Sequence, residues 1–339
     1  MKAQPLFRPN QAEFAQQYAA LRKQSLTAGA LLPGTPGTLQ RRTGTGYAYW
    51  YRVYYPVPGK QAETLVGREN DQDAENAMRA QMAAAESVAR QVGMLRKLGY
   101  FVADKITARA LVELHNLGAF DAGLILTGSL ACLAWLNEFG ARVQPPTGEG
   151  AALHPELFAT QPFLDSPLAG TLPLTPDLVV TAQSGLHVAI TLPGIAPIPC
   201  EVIVAGDDGG TPLSTSPLAW SAITIPDHDY LTTNATRVVM LAGGQCIPVR
   251  LPDPAHLVWH QLYASTQHSA ARADNERHLA LSLAAALLAH DPWPLLSAWE
   301  TPPPTITGPI HPLRETLLTS AAAHPDLQEL LADCLNPAQ

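Results

Sequence analysis

The run Asp121-Ala-Gly-Leu-Ile-Leu-Thr-Gly-Ser-Leu-Ala-Cys-Leu-Ala-Trp-Leu-Asn-Glu-Phe139 restricts the fold more tightly than any other part of the chain. Leu124 to Leu126 is a short apolar run, Gly128-Ser129 interrupts it, and Leu130 to Phe139 has the composition of a helix. A buried strand, a tight turn and a helix start are thereby compressed into fewer than twenty residues. Gly128 allows a ligand to approach the backbone closely, and Ser129 is a natural N-cap. Free amides at such a helix start suit a phosphate.

Around this unit the residues predict a mixed fold. Asn10 caps a helix over 9–25 that carries Phe14, Tyr18 and Leu21. Residues 45–66 then have strand chemistry, with Tyr47, Tyr49, Tyr51, Val53 and Tyr55 on one face and Trp50, Arg52 and Tyr54 on the other. Pro56-Val-Pro-Gly59 turns the chain, so that Gln61 to Val66 returns antiparallel. The alanine-rich run from Asp73 to Leu98 is a long helix that stops at Gly99, and Ile106 to Leu117 is another, capped by Asp104 or Thr107. Short strands are expected at 178–181, 186–192, 200–204, 222–225, 237–241 and 246–249. Helices follow at 254–265 and 273–290, and Pro302-Pro-Pro304 leads to two short C-terminal helices. The expectation is an α/β (α+β) chain: a mixed sheet flanked by helices, with a helical N-terminal arm, an aromatic hairpin and a helical C-terminal region. Its three parts are 1–105, 106–252 and 253–339.

Composition narrows the function classes. Charged residues make up only 15% and apolar ones 47%, which is ample for a core, and 31 prolines stiffen the loops. No apolar run of about twenty residues is present to span a bilayer, and Met1 to Arg8 lacks the apolar region of a signal peptide. Cys132, Cys200, Cys246 and Cys334 have no Cys-x-x-Cys spacing, so free buried thiols and a cytoplasmic location are expected. A net charge of −8 argues against general coating of nucleic acid and leaves a local basic surface open.

The glycine-serine turn resembles that of the polymerase-beta-type nucleotidyltransferase superfamily, and specifically a family of uncharacterised bacterial proteins with that fold. The resemblance continues, in order, through Gly44-Thr-Gly-Tyr-Ala-Tyr-Trp-Tyr-Arg52, Glu63-Thr-Leu-Val-Gly-Arg-Glu69, Leu117 to Ser129, Gly185-Leu-His-Val-Ala-Ile-Thr-Leu-Pro193 and Val249 to Leu262. It implies a nucleotide site at Gly128 and Ser129. It also implies an Asp-x-Asp or Asp-x-Glu pair on the next strand and a third carboxylate on a later one, together holding two Mg2+ ions that align an NTP.

The expected acids are missing. Between Leu130 and Ala159 stand only Glu138, Glu149 and Glu156, and none forms such a pair. Ala189 takes the place of the third acid on the strand at 187–191, and His260-Gln261 replaces the family's usual lysine. These departures make the chain a candidate pseudoenzyme, a nucleotidyltransferase-fold module that binds a nucleotide, an RNA or other nucleic acid, or a protein. The alternative is an active enzyme that moves NMP from NTP to an RNA or protein hydroxyl. In that case Glu149 and Glu201 recruit the Mg2+. A carboxylate pair within a few ångströms of Gly128 and Ser129 discriminates the two, and two acids placed there would make the inactive reading fail.

Other clusters have two readings each. Arg41, Arg42, Trp50, Tyr51 and Arg52 combine guanidinium groups and rings in the way single-stranded nucleic acid is met, or else form an aromatic sheet packed on the 73–98 helix. His256 and His260 are one helical turn apart, a metal-ligand spacing, but Leu257 stands where zinc hydrolases place a glutamate. One packed and one solvated imidazole is the other reading. Asp227-His-Asp229 is acid-base chemistry or a plain turn with a cap. Asp207-Asp-Gly-Gly210 is the most hairpin-like sequence in the chain.

Overall fold

The structure is a computed structural model that describes residues 4–44, 46–144, 153–172, 174–178, 187–206, 212–214, 221–225, 228–302 and 304–336. The chain begins with β1 (Arg8–Pro9) and α1 (Ala12–Leu26), followed by strands β2 (Thr38–Thr43), β3 (Ala48–Val57) and β4 (Lys60–Arg68) and the long helix α2 (Gln72–Lys97). Helix α3 (Lys105–Asn116) leads into β5 (Leu124–Thr127), α4 (Gly128–Glu138) and β6 (Ala141–Arg142). After these come β7 (Glu156–Ala159), α5 (Gln161–Leu164), β8 (Leu174–Leu178), β9 (His187–Ile190), β10 (Ile198–Ala205), β11 (Pro212–Ser214) and β12 (Ser221–Ile225). The short α6 (His228–Thr232) precedes β13 (Thr236–Ala242) and β14 (Gln245–Leu251). Helices α7 (Pro254–Ala264), α8 (Ala270–Leu288), α9 (Trp293–Glu300), α10 (Pro304–Ile310), α11 (Arg314–Ser320) and α12 (Pro325–Cys334) follow. The mixed α/β class is as expected from the sequence.

The main sheet is mixed. β5 pairs antiparallel with β7, β7 parallel with β10, and β10 meets β9 along its first half and β12 along its second. Four-residue strands such as β5 survive in it because both faces are covered, and Leu124 to Thr127 are all buried. The aromatic region is a three-stranded sheet rather than a two-stranded hairpin. Its extra strand, β2, carries Arg41 and Arg42. Between β3 and β4 the chain turns at Pro58-Gly59, with Gly59 at φ +80°.

Capping follows local chemistry with two exceptions. Asp104 accepts from Ile106 N and Thr107 N at the start of α3, and Asp71 from Ala74 N at the start of α2. α1, however, starts at Gln11 rather than Asn10, whose own N–H donates to Gly140 O. α4 starts at Thr127 rather than Ser129, because the chain turns at Gly128 and Ser129 already lies in the first turn.

A second hairpin, β13–β14, fills the middle of the molecule. Val238 to Ala242 are wholly buried, with Val238 and Met240 facing the main core and Val239 and Leu241 facing a smaller cluster with Tyr18, Leu21, Val92 and Leu95. This continuous apolar run is what burial on both faces requires. Its two-residue turn is Gly243-Gly244, both at positive φ, which matches the twist of the strands. The Asp207–Gly210 turn expected from the sequence lies outside the described residues.

The main core takes residues from Leu6 to Leu335, and thus from all three parts of the chain. The two ends of the chain meet directly: Leu6 N donates to His324 Nε2, and Ser282 Oγ donates to Leu6 O. All four cysteines are buried and free. Among the described residues no helix is long and apolar enough to cross a membrane.

Gly243→Ala would combine a left-handed backbone with a Cβ 2.7 Å from Ala108 Cβ and 3.0 Å from Lys105 Cα. The variant should lose about 1–3 kcal/mol of stability, read as a lower urea midpoint with an unchanged slope. Gly29→Ala, which meets nothing within 4 Å, should stay within about 0.5 kcal/mol of the parent or gain slightly.

Candidate functional site

Three side chains reach one place because their strands are in register. Thr127 at the end of β5 stands opposite Glu156 of β7, and Glu156 stands beside Glu201 of β10. Register neighbours project to the same face, so the two carboxylates lie side by side above the turn into α4. Glu156 lies directly on Gly128: a Cβ built there would be 2.2 Å from the carboxyl carbon. Gly128, at φ +67°, therefore has two reasons to be glycine.

Helix α8 lies over these acids. Arg272, in its first turn, donates from Nη1 to Glu201 Oε1 at 2.7 Å and from Nη2 to Glu201 Oε2 at 3.1 Å, a two-pronged pair. Nη2 also reaches Glu156 Oε1 at 3.4 Å, and Nε donates to Glu276 Oε1 at 2.8 Å. Glu276 in turn meets His268 Nδ1 at 2.9 Å, and His154 Nε2 lies 3.2 Å from Glu201 Oε1. The cluster is mostly closed to solvent, with side-chain exposure of 13% at Glu156, 5% at Glu201 and 1% at Glu276.

Three carboxylates share one guanidinium, and the protonation states reflect it. Burial and the neighbouring Glu201 charge push the Glu156 carboxyl up to about 7. Burial acts the same way on Glu201, but the hydrogen bonds of His154 and Arg272 and the charge of Arg272 outweigh it and hold that carboxyl well below its usual range. His154, also opposed by burial, is raised by its contact with Glu201. Arg272 stays firmly protonated, since the acids around it outweigh its own burial.

His154, Glu156 and Glu201 each offer a ligand atom, all within 4.8 Å of one another, and they are the one such group among the described residues. Two carboxylates with an imidazole could hold a divalent ion such as Mn2+ or Zn2+ more naturally than Mg2+, which prefers oxygen alone. The Arg272 guanidinium already lies against both carboxylates, so a second cation at the same oxygens would face direct repulsion.

Several sequence-predicted residues have different surroundings from those expected. Ser129 is half-buried in the first turn of α4, and the Glu156 carboxylate fills the space beside the Gly128 Cα. The strand at 187–190 does not border β7. β10 lies between them, so the second acid is Glu201 rather than a residue at Ala189, which is buried. Glu149 lies outside the described residues. His260 is buried near Glu276 and His268, and burial lowers it to about 4, while His256 is half-buried against the Tyr230 ring. Asp227 is outside the described residues, and Asp229 is exposed.

The basic residues of the aromatic sheet are held by the protein itself. Arg41 pairs with Glu69 and Arg42 with Glu63. Arg52 is buried, donates to the carbonyls of Pro33, Thr35 and Pro36, and lies over the Tyr54 ring. Tyr51 is half-buried with Arg42 5.8 Å away, and Trp50 is half-buried beneath Arg79.

Glu156, His154, Arg272, Glu276 and His268 were not singled out in the sequence. The signal for two of them was the i,i+4 spacing of Arg272 and Glu276. Glu156 opens a strand of only four residues after a proline, too short for its alternation to be read. No protein-family profile, no curated protein and no solved structure matches this chain. None of these comparisons supports the nucleotidyltransferase resemblance drawn from the sequence.

Glu156 makes stability depend on pH. Its carboxyl binds a proton more tightly in the folded chain, at about 7, than at its ordinary value of 4.5. Protonation therefore favours the fold. The gain is complete below about pH 4.5 and is lost as pH rises through about 7. Compared with Glu156→Gln, the parent should lose up to about 3 kcal/mol across that window, measured by urea unfolding at each pH. Parallel curves for the two proteins would show that Glu156 titrates normally.

Proposed function

We propose that the chain is a nucleotidyltransferase-like protein whose cation position is filled by its own guanidinium, and that it works as a binding module rather than a transferase. The observation that carries this reading is the placement of Arg272 between Glu201 and Glu156, where the related fold would hold metal. The two acids beside Gly128 would by themselves tell against an inactive protein. Arg272 reverses that inference, because it neutralises Glu201 and leaves Glu156 inclined to protonate. The Glu156 carboxylate also crowds Gly128, so an anion brought to that turn would meet a carboxylate beside it. A nucleotide, a nucleic acid or a protein would then be recognised elsewhere on the surface.

A second reading is favoured by one observation. The Glu156 contact with Arg272, at 3.4 Å, is the longest in the cluster, and His154, Glu156 and Glu201 are close enough to share an ion. If Arg272 withdrew, an acceptor hydroxyl could attack the α-phosphorus of an NTP. Glu156 would take the proton, and pyrophosphate would leave.

Titration calorimetry with each nucleoside triphosphate separates the two readings. The parent protein should show no binding that requires Mg2+ and no transfer of NMP. Mg2+-dependent micromolar binding that disappears in Glu201→Gln would replace this proposal with the second reading.

Arg272→Met leaves buried carboxylates without their counter-charge and should cost about 3–5 kcal/mol. Mn2+ should then raise the melting temperature of Arg272→Met while leaving the parent unmoved, since a ligand of the folded state stabilises it by mass action. If the methionine variant does not fold, Arg272→Gln, which removes the charge but keeps a hydrogen-bond donor for the carboxylates, serves the same comparison. An equal Mn2+ response in parent and variant would show that the guanidinium does not hold the cation position.

A further inference from the structure

At the opposite end of α4 from the carboxylate cluster lies a cavity of about 750 Å3. This is within the size range of small-molecule sites. Three arginines line it, each from a different element: Arg8 from β1, Arg96 from the last turn of α2, and Arg142 from β6. None has a carboxylate partner among the described residues, although the chain carries 29 acids against 21 basic residues. All three are exposed, so their unpaired positive charge is presented to whatever enters the hollow.

The register sharpens the point. Arg8 and Arg142 are direct partners in the antiparallel β1–β6 pair, and like charges placed opposite one another repel. Arg142 is also fixed in place. Its side chain lies across Gly99, where a Cβ would meet its Cδ at 2.2 Å, and Gly99 has φ +94°. The bend after α2 is thus shaped around an arginine that bonds to no acid. The carbonyls of that helix end accept from the N–H groups of Leu98, Gly99 and Tyr100, so Arg142 is not their cap. Burial lowers His278 in the wall, so the positive charge comes from the guanidinium groups. Phe7 and Phe101, both half-buried, supply apolar wall beside them.

We infer that this cavity binds a small molecule bearing two or more phosphates, with Arg8, Arg96 and Arg142 gripping the phosphates and Phe7 and Phe101 lying against the remainder. Several guanidinium forks converging on one point are suited to phosphate oxygens. The ligand relieves the Arg8–Arg142 repulsion, so binding weakens as salt is added. The site is independent of the Gly128 turn and needs no metal.

The test is calorimetry with sodium tripolyphosphate and with ATP, both without Mg2+, on the full chain. The parent should bind both, ATP the more tightly. Arg142→Gln and Arg96→Gln should each weaken both ligands on the order of tenfold. Arg79→Gln, whose guanidinium pairs with Glu75 on an exposed face of α2, should change nothing. Glu201→Gln should likewise bind tripolyphosphate as the parent does, which keeps this site separate from the carboxylate cluster. No binding at millimolar ligand, or equal affinity in parent and Arg142→Gln, would overturn the inference. So would preference for a single-stranded oligonucleotide over both small ligands.

Discussion

Three carboxylates drawn onto one guanidinium form the constraint around which the rest of the site is arranged. Glu156 and Glu201 come from adjacent strands in register, and Glu276 comes from the helix that also supplies Arg272. Removing a partner from a buried cluster leaves an uncompensated charge, which is costly, whereas the intact cluster is close to neutral in its contribution to stability. Its main effect is therefore positional. It fixes α8 over the ends of β7 and β10, and it fixes Glu156 over Gly128.

The carboxylate cluster and the β13–β14 hairpin do complementary jobs. The hairpin is apolar on both faces and joins α1 and α2 to the main core, so it sets the overall arrangement mainly by apolar packing. Where the hairpin stops, the molecule turns to charged pairs. Arg41, Arg42 and Arg52 of the aromatic sheet are matched to glutamates or to backbone carbonyls, and Arg68 lies over the Tyr47 ring. Arg8, Arg96 and Arg142 depart from this pattern, which is why the cavity they line stands out.

What could be read in the sequence was mostly local. The strand-turn-helix at 124–138, the α2 helix, the α3 helix with its Asp104 cap, and the return of β4 after Pro58-Gly59 all follow from periodicity and turn chemistry within a few residues. The carboxylate cluster did not, because its members are separated by up to 122 positions from His154 to Glu276 and meet only through sheet order. The 187–191 strand is likened in the sequence to the one that carries a third acid, with Ala189 in its place, whereas β10 borders β7 and supplies Glu201. Parallel pairing of β7 with β10 depends on closing long loops, which no local pattern announces. Helix α8 was expected from residue 273, one short of Arg272, so the key cation fell just outside it.

The bond between Leu6 and His324 sets an order on how the protein comes into being. A chain grows from its N-terminus, and its early segments fold as soon as their partners exist. Leu6 has its side-chain partners on Ser282 and His324, far along the sequence, although Arg8 and Asn10 pair with residues 140–142. The cavity wall, which runs from Gln4 to Ser320, therefore cannot close while the chain is still emerging. During synthesis Arg8 and Arg142 lack the frame that holds them together, and any ligand for them arrives only at a finished molecule.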